Sequence, residues 1–359
     1  MEYLLILGLA LAALYAWGIG ANDMANTIAA PIGGGAINKR RAAAIYVASL
    51  ILGAMLQGHM VMKTLGKGTT RLDLPGAVAS SLAAITWVYL ATYLDLPIST
   101  SLSITSGVIG VGLAYVVKTG DWSLLNLNVV NSVILSWISS PILSMITAMW
   151  TYALLKRTLS ANRSKLVETL TALAVAWDGY SFGANDVANA TGVYIAVVET
   201  SGILHSLLGS RISESLFLAI YGAVFMALGG VLTGWRVVNT VGYRITRLDP
   251  VGGLTEAVSS ALVVWLFTTI PYMLISYGMP ISTTYASVAA VFGIGIVKAR
   301  SIRRGLNVKL ALLIVLSWIL TLPIVAGLGI IYYYVITNLA RWTHRLRGAG
   351  SQDYKREGQ

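Results

Sequence analysis

Gly20-Ala21-Asn22-Asp23-Met24-Ala25-Asn26-Thr27 recurs, little changed, as Gly183-Ala184-Asn185-Asp186-Val187-Ala188-Asn189-Ala190. Each copy follows a long apolar run and sets a carboxylate and two carboxamides at a depth where lipid would be expected. A charge there costs at least about 2.5–3.5 kcal/mol. Keeping the motif twice points to one site assembled from two halves. Gly followed by Asn-Asp is poor helix material, so the helix is expected to end or unwind at each copy. Backbone carbonyls freed inside a membrane need a partner, and a dehydrated cation is one. Asp23 and Asp186 would supply the charge. Asn26 and Asn189, one turn on, add neutral oxygens from the same face. Hard oxygens of this mix suit sodium. A proton on the carboxylate is the competing reading, and helix caps packed on Gly-rich neighbours are the purely structural one.

The surroundings are those of a membrane-spanning chain. Of 359 residues, 56% are hydrophobic and 11% charged, where a soluble protein is about 25% charged. Candidate spans fall at 3–20, 42–62, 75–94, 97–117 and 128–155, and again at 166–184, 215–235, 250–277, 280–297 and 310–336. Pro141 and Pro323 are placed to kink the last span of each set. Met1 to Trp17 has Glu2 where a signal peptide would have a basic residue, so it reads as a first span. The net charge of +11 resides in short loops and the tail without aromatic interleaving, which argues against nucleic-acid binding. With no Cys there is no disulfide or thiolate chemistry, and His59, His205 and His344 are too scattered for a His-based metal site.

The two sets are copies. Gly53, Gly58, Val61, Thr64, Gly66 and Thr70-Arg71-Leu72-Asp73 correspond in order to Gly229, Gly234, Val237, Thr240, Gly242 and Thr246-Arg247-Leu248-Asp249. Pro97-Ile98-Ser99-Thr100 matches Pro280-Ile281-Ser282-Thr283, and Leu135-Ser136-Trp137 matches Leu316-Ser317-Trp318. An odd number of spans per copy turns the second copy upside down. With the N-terminus outside, fifteen Lys and Arg lie in inside loops and five in outside loops, the bias expected of inverted repeats. The same count leaves the basic tail, Arg341 to Arg356, outside.

The expected fold is therefore an all-α polytopic membrane protein. It has two inverted-topology repeats of about five to six helical segments each, with broken helices or re-entrant hairpins meeting at the midplane. Residues 1–155 form the first repeat, 156–165 a cytoplasmic basic linker, 166–338 the second repeat and 339–359 a basic polar tail.

In the Pro-Ile-Ser-Thr copies, proline closes one segment and Ser or Thr caps the next helix. Ser99-Thr100-Ser101 and Ser282-Thr283-Thr284 would offer hydroxyls, free N–H groups and a positive dipole end, a combination that binds oxyanions. No Lys or Arg lies in these segments, so cation and anion would neutralise each other in low dielectric. Ser/Thr capping for packing alone is the plainer alternative. Glu256 lies six residues beyond Pro250 inside a span, opposite the acid-free Gly76-Ala77. It is either a coupling acid or a hydrogen-bonded structural residue. Asp178, whose first-half counterpart is Tyr15, stays undecided. Trp137, Trp318 and Tyr332 to Tyr334 read as belt or packing residues. Gly33-Gly34-Gly35 is a turn rather than a phosphate loop.

The paired Gly-Ala-Asn-Asp-x-Ala-Asn motifs with paired Pro-Ile-Ser-Thr segments resemble the inorganic phosphate transporter family over nearly the whole chain. The resemblance implies a non-enzymatic symporter in the cell membrane, dimeric, moving phosphate with co-transported sodium or protons and holding no cofactor. By motif it makes Asp23, Asn26, Asp186 and Asn189 cation ligands. Asn22, Asn185, Ser99, Thr100, Ser101, Ser282, Thr283 and Thr284 become phosphate or mixed ligands. Leu50 and Ala77 stand where several relatives carry acids, so sodium against protons, and phosphate against sulfate, stay open. An intramembrane diaspartyl hydrolase and a passive anion channel are the readings from other classes.

Overall fold

A computed structural model describes residues 2–93, 98–159, 164–202, 212–240, 248–301 and 308–356. These are almost entirely helical, with no strand among the described residues. Helix is what a chain this apolar must form in lipid, because it satisfies every backbone group within the segment. The first repeat comprises α1 (Glu2–Gly33), α2 (Lys39–Lys63), α3 (Leu74–Tyr93), α4 (Thr100–Thr119) and α5 (Leu127–Thr158). The second opens with α6 (Ser164–Thr191), the short α7 (Ile195–Ser201), α8 (Glu214–Thr233) and the short α9 (Trp235–Thr240). It closes with α10 (Pro250–Ile275), α11 (Thr283–Ala299) and α12 (Val308–Arg356). Eight of these helices are long and apolar enough to cross a membrane, so the chain is a multi-pass membrane protein. α5 and α12 run on through Pro141 and Pro323.

Starts are set locally. Asn38, Asn126 and Ser213 each accept a backbone N–H three residues on, opening α2, α5 and α8. Asp249 does the same for α10, whose first residue is Pro250, the arrangement favoured at N-cap and N1.

The duplication is visible in the packing. α1 lies along α8 as α6 lies along α2, and α4 lies along α12 as α11 lies along α5. Exchanging the repeats converts each pair into the other. The ion pairs fix the sense. Arg41, at the start of α2, meets Glu168 near the start of α6 at 2.6 Å, and Lys156 meets Asp249 at 2.6 Å. The chain leaving α1 at Gly34 also abuts the Asp249 carbonyl. α1 therefore ends where α6 begins, and the repeats are inverted. Lys67 and Glu199 pair at the opposite end. Pro97, and the Gly242, Thr246 and Arg247 counterparts in the repeat alignment, lie outside the described residues.

The helices do not unwind at the two Gly-Ala-Asn-Asp copies, contrary to the sequence expectation. α1 passes through Gly20 to Thr27 and α6 through Gly183 to Ala190. The glycines serve close approach instead. A Cβ on Gly20 would lie 1.9 Å from the Met226 carbonyl oxygen, and one on Gly183 2.0 Å from that of Leu50. Tertiary packing overrides the poor intrinsic propensity. The breaks fall at the Pro-Ile-Ser-Thr segments, where α10 stops at Ile275 and α11 starts only at Thr283, while α4 starts at Thr100.

The bundle is apolar outside as well as within, and its mainly apolar interior also encloses many polar side chains. Leu52, Leu56, Leu135, Ile138, Leu232 and Ile319 are exposed, while Ser, Thr, Asn and Asp side chains are buried among the apolar residues of the core. Helices in lipid gain nothing by hiding leucine and associate through small and hydrogen-bonding residues.

Candidate functional site

Ser99 and Ser282 cap α4 and α11. Their Oγ atoms accept the N–H of Leu102 and Tyr285, each at 3.2 Å. With those first-turn groups met, helix geometry leaves the N–H groups of Thr100, Ser101, Thr283 and Thr284 without an intrahelical partner. The segment before α11 is pinned on three sides. Thr64 Oγ1 donates to the Gly278 carbonyl at 2.6 Å, Met279 N–H to that of Phe267 at 2.9 Å, and Trp137 Nε1 to that of Pro280 at 2.8 Å.

Both helix starts converge on the acids. Thr100 Oγ1 donates to Asp23 Oδ2 at 2.8 Å, and Thr284 Oγ1 to Asp23 Oδ1 at 3.3 Å. Ser101 Oγ donates to Asp186 Oδ1 at 3.0 Å, and the Thr283 side chain also bonds Asp186. Each carboxylate thus holds one hydroxyl from its own repeat and one from the other. The amides repeat the pattern, Asn26 Nδ2 donating to Thr284 Oγ1 at 3.0 Å and Asn189 Nδ2 to Ser101 Oγ at 2.7 Å. Asn189 also reaches Asp186 Oδ1 at 2.6 Å.

The expected site residues are accordingly brought together, with two distinctions. Asn22 donates to Asp23 at 2.8 Å. Asn185 uses its amide N–H groups on Thr268 Oγ1 at 2.8 Å and the Met279 carbonyl at 2.9 Å, so it braces the loop before α11. The oxygens left open here belong to side chains rather than to unwound backbone. Asp186 Oδ2, Asn185 Oδ1 and Asn189 Oδ1 are buried without a partner, a set of hard oxygens open to a cation. No cluster of three or more His, Cys, Asp or Glu occurs among the described residues. The charged residues fully buried among them are all acids, Asp23, Asp178, Asp186 and Glu256, so neutralisation cannot come from a buried Lys or Arg.

Glu256 stands apart from these residues, accepting from Ser287 Oγ at 2.6 Å and interacting electrostatically with Asp178. Sequence reasoning missed Tyr15, whose hydroxyl donates to the Thr100 carbonyl at 2.8 Å, and gave Trp137 no positioning role. The repetition of Leu-Ser-Trp in both halves was the signal for Trp137.

The sequence profile of the phosphate transporter family matches residues 19–177 and 159–329. A protein of Pyrococcus furiosus named "Putative phosphate permease" is 30% identical over 90% of this chain and 95% of its own. One of the same name from Pyrococcus abyssi is 28% identical over 92% and 96%. Among solved structures, "The sodium-dependent phosphate transporter" superposes with a TM-score of 0.77 at 26% identity, covering 93% of this chain and 99% of that one.

Proposed function

We propose, from the premise that the chain belongs to the phosphate transporter family, that it imports inorganic phosphate together with a cation, sodium first, by alternating access. Members of this family are transporters and not enzymes. The observation that carries the reading is the convergence of two helix starts on two buried acids, Thr100 and Thr284 on Asp23, and Ser101 and Thr283 on Asp186. Helix N-termini and hydroxyls favour an oxyanion, carboxylates and amide oxygens favour a hard cation, and each ligand lowers the cost of holding the other. Phosphate would replace the carboxylates as partner of the Thr100, Ser101, Thr283 and Thr284 hydroxyls, freeing Asp23, Asn26, Asp186 and Asn189 for sodium. The name of the solved neighbour supports sodium over protons.

In this reading the hairpins carrying α4 and α11 exchange access between the two ends of the bundle. The protein works in the cell membrane with its N-terminus outside, as a homodimer. Purified protein in proteoliposomes, given sodium and pH gradients independently, tests it. Accumulation of labelled phosphate driven by sodium alone is expected, with sulfate failing to compete. Accumulation driven only by the pH gradient would reassign the cation, and equilibration without either gradient would make the protein a passive channel.

A further inference from the structure

The second repeat buries a pair of acids that the site above does not use. Asp178 on α6 and Glu256 on α10 are both fully enclosed and interact electrostatically. Asp178 is faced by the hydroxyls of Thr27 on α1 and Ser260 on α10. Glu256 Oε1 accepts from Ser287 on α11 at 2.6 Å. One oxygen of each acid, Asp178 Oδ2 and Glu256 Oε2, is buried without a partner. So is the hydroxyl of Ser259, one helical turn from Glu256 and hence on the same face. Four helices therefore supply two carboxylates and four hydroxyls to one enclosed region.

The inverted copy has no acid at either corresponding position. Tyr15 takes the place of Asp178 and donates its hydroxyl to the Thr100 carbonyl at 2.8 Å. Ala77 takes the place of Glu256. Ser81, the counterpart of Ser260, is met by the Tyr194 hydroxyl at 2.9 Å. That half carries no acid there, although the hydroxyl of Ser80, the counterpart of Ser259, is likewise buried without a partner. The second half has acquired two charges and left their oxygens open, with no buried Lys or Arg among the described residues to compensate. Buried carboxylates in such surroundings must either take up a proton or find a counter-charge.

We infer that Asp178 and Glu256, with the hydroxyls of Thr27, Ser260 and Ser287, form a second sodium site, separate from the Asp23–Asp186 site and present in one repeat only. All its ligands are hard oxygens, as a sodium ion requires. Because Thr27 directly follows Asn26, and Ser287 lies one turn beyond Thr284, an ion here would stiffen α1 and α11 at the points where they present their own ligands. The inference goes beyond phosphate–sodium coupling at the central site and takes from that reading only the identity of the cation.

Equilibrium binding of radiolabelled sodium to the purified full chain, without phosphate, tests it. The double variant Asp178→Asn, Glu256→Gln is expected to bind one sodium fewer per chain than the wild type while eluting as the same species. Asp23→Asn is expected to keep the ion that the double variant loses. Ser287→Ala, which leaves both acids in place and guards against a double variant that does not fold, should weaken that ion several-fold. An unchanged sodium count and affinity in Ser287→Ala and in the folded double variant overturns the second site, even where Asp23→Asn loses its own ion and the central reading stands. No sodium bound by the wild type overturns both.

Discussion

Asp23 and Asp186 are held by adjacent residues of one helix, Thr100 Oγ1 donating to the first at 2.8 Å and Ser101 Oγ to the second at 3.0 Å. The first turn of α4 therefore bridges the two repeats. The start of α11 does the same from the other side, through Thr284 and Thr283. A displacement of either helix start must be felt by both acids, which is the physical basis of the coupling proposed above.

Ser101→Ala and Thr284→Ala are equivalent by the internal symmetry. Each removes a hydroxyl that donates to an acid of one repeat and accepts from the amide one turn further on. A hydrogen bond to a charged group contributes about 1.5–3 kcal/mol, or roughly 10- to 100-fold in affinity. Sodium titrations of phosphate uptake should show losses of that order and of similar size in both variants. A wild-type titration in either one contradicts the symmetric network.

Gly20→Ala and Gly183→Ala should destabilise the fold without touching a ligand. The added methyl meets a backbone carbonyl, which cannot rotate aside as a side chain could. Overpacking of this kind costs about 1–3 kcal/mol. A methyl added at Gly327 would have nothing within 4 Å, so Gly327→Ala on α12 should be neutral or stabilising through helix propensity, about 1 kcal/mol at most. Thermal unfolding in detergent separates the three. Equal melting temperatures would mean that the α1–α8 and α2–α6 crossings yield more easily than their geometry implies.

Trp137→Phe keeps the ring in its buried place and removes only the Nε1 bond to the Pro280 carbonyl. The start of α11 should be less well positioned, lowering phosphate affinity several-fold with the yield of folded protein unchanged. Uptake kinetics indistinguishable from wild type would remove Trp137 from the positioning residues.

Much of this was legible in the chain itself, for a physical reason. Lipid makes a buried carboxylate costly, so Asp23 and Asp186 stood out against an apolar background, and duplication showed that they belonged together. Ser99 and Ser282 were readable as caps because proline before Ser-Thr has few other conformations. What misled was propensity. Asn-Asp after Gly predicts a broken helix, yet Gly20 and Gly183 admit a neighbouring backbone and the helices continue. Nor could one sequence reveal which amides were already engaged. Asn185 bonds Thr268 and Met279, partners far away in the chain that only packing brings near. Asp178 and Glu256 were each noticed alone, and nothing in their spacing said that they lie near enough to interact.

The Lys156–Asp249 contact gives a pH-dependent prediction outside the membrane spans. Burial alone would raise the Asp249 pKa, but the bond from Lys156 Nζ and the N–H of Gly252 outweigh it and hold the carboxyl below its usual value. A depressed pKa contributes stability above the unfolded value, about 3.9 for Asp, that is lost as pH falls through the folded one. Asp249→Asn, which keeps the cap, should lower stability near neutral pH by about 0.2–1 kcal/mol for a partly exposed pair. The difference should vanish in acid. A deficit that persists undiminished at low pH would trace the effect to the cap rather than the charge.

The central claim is that anion and cation share one enclosure and neutralise one another. Equilibrium binding of labelled phosphate to the purified protein at rising sodium, in wild type and in Asp23→Asn and Asp186→Asn, tests it most directly, because linkage requires each ligand to tighten the other. Phosphate affinity is expected to climb with sodium in the wild type and to lose that dependence in both variants. Phosphate bound equally well with and without sodium, or a dependence that survives removal of both carboxylates, would contradict it.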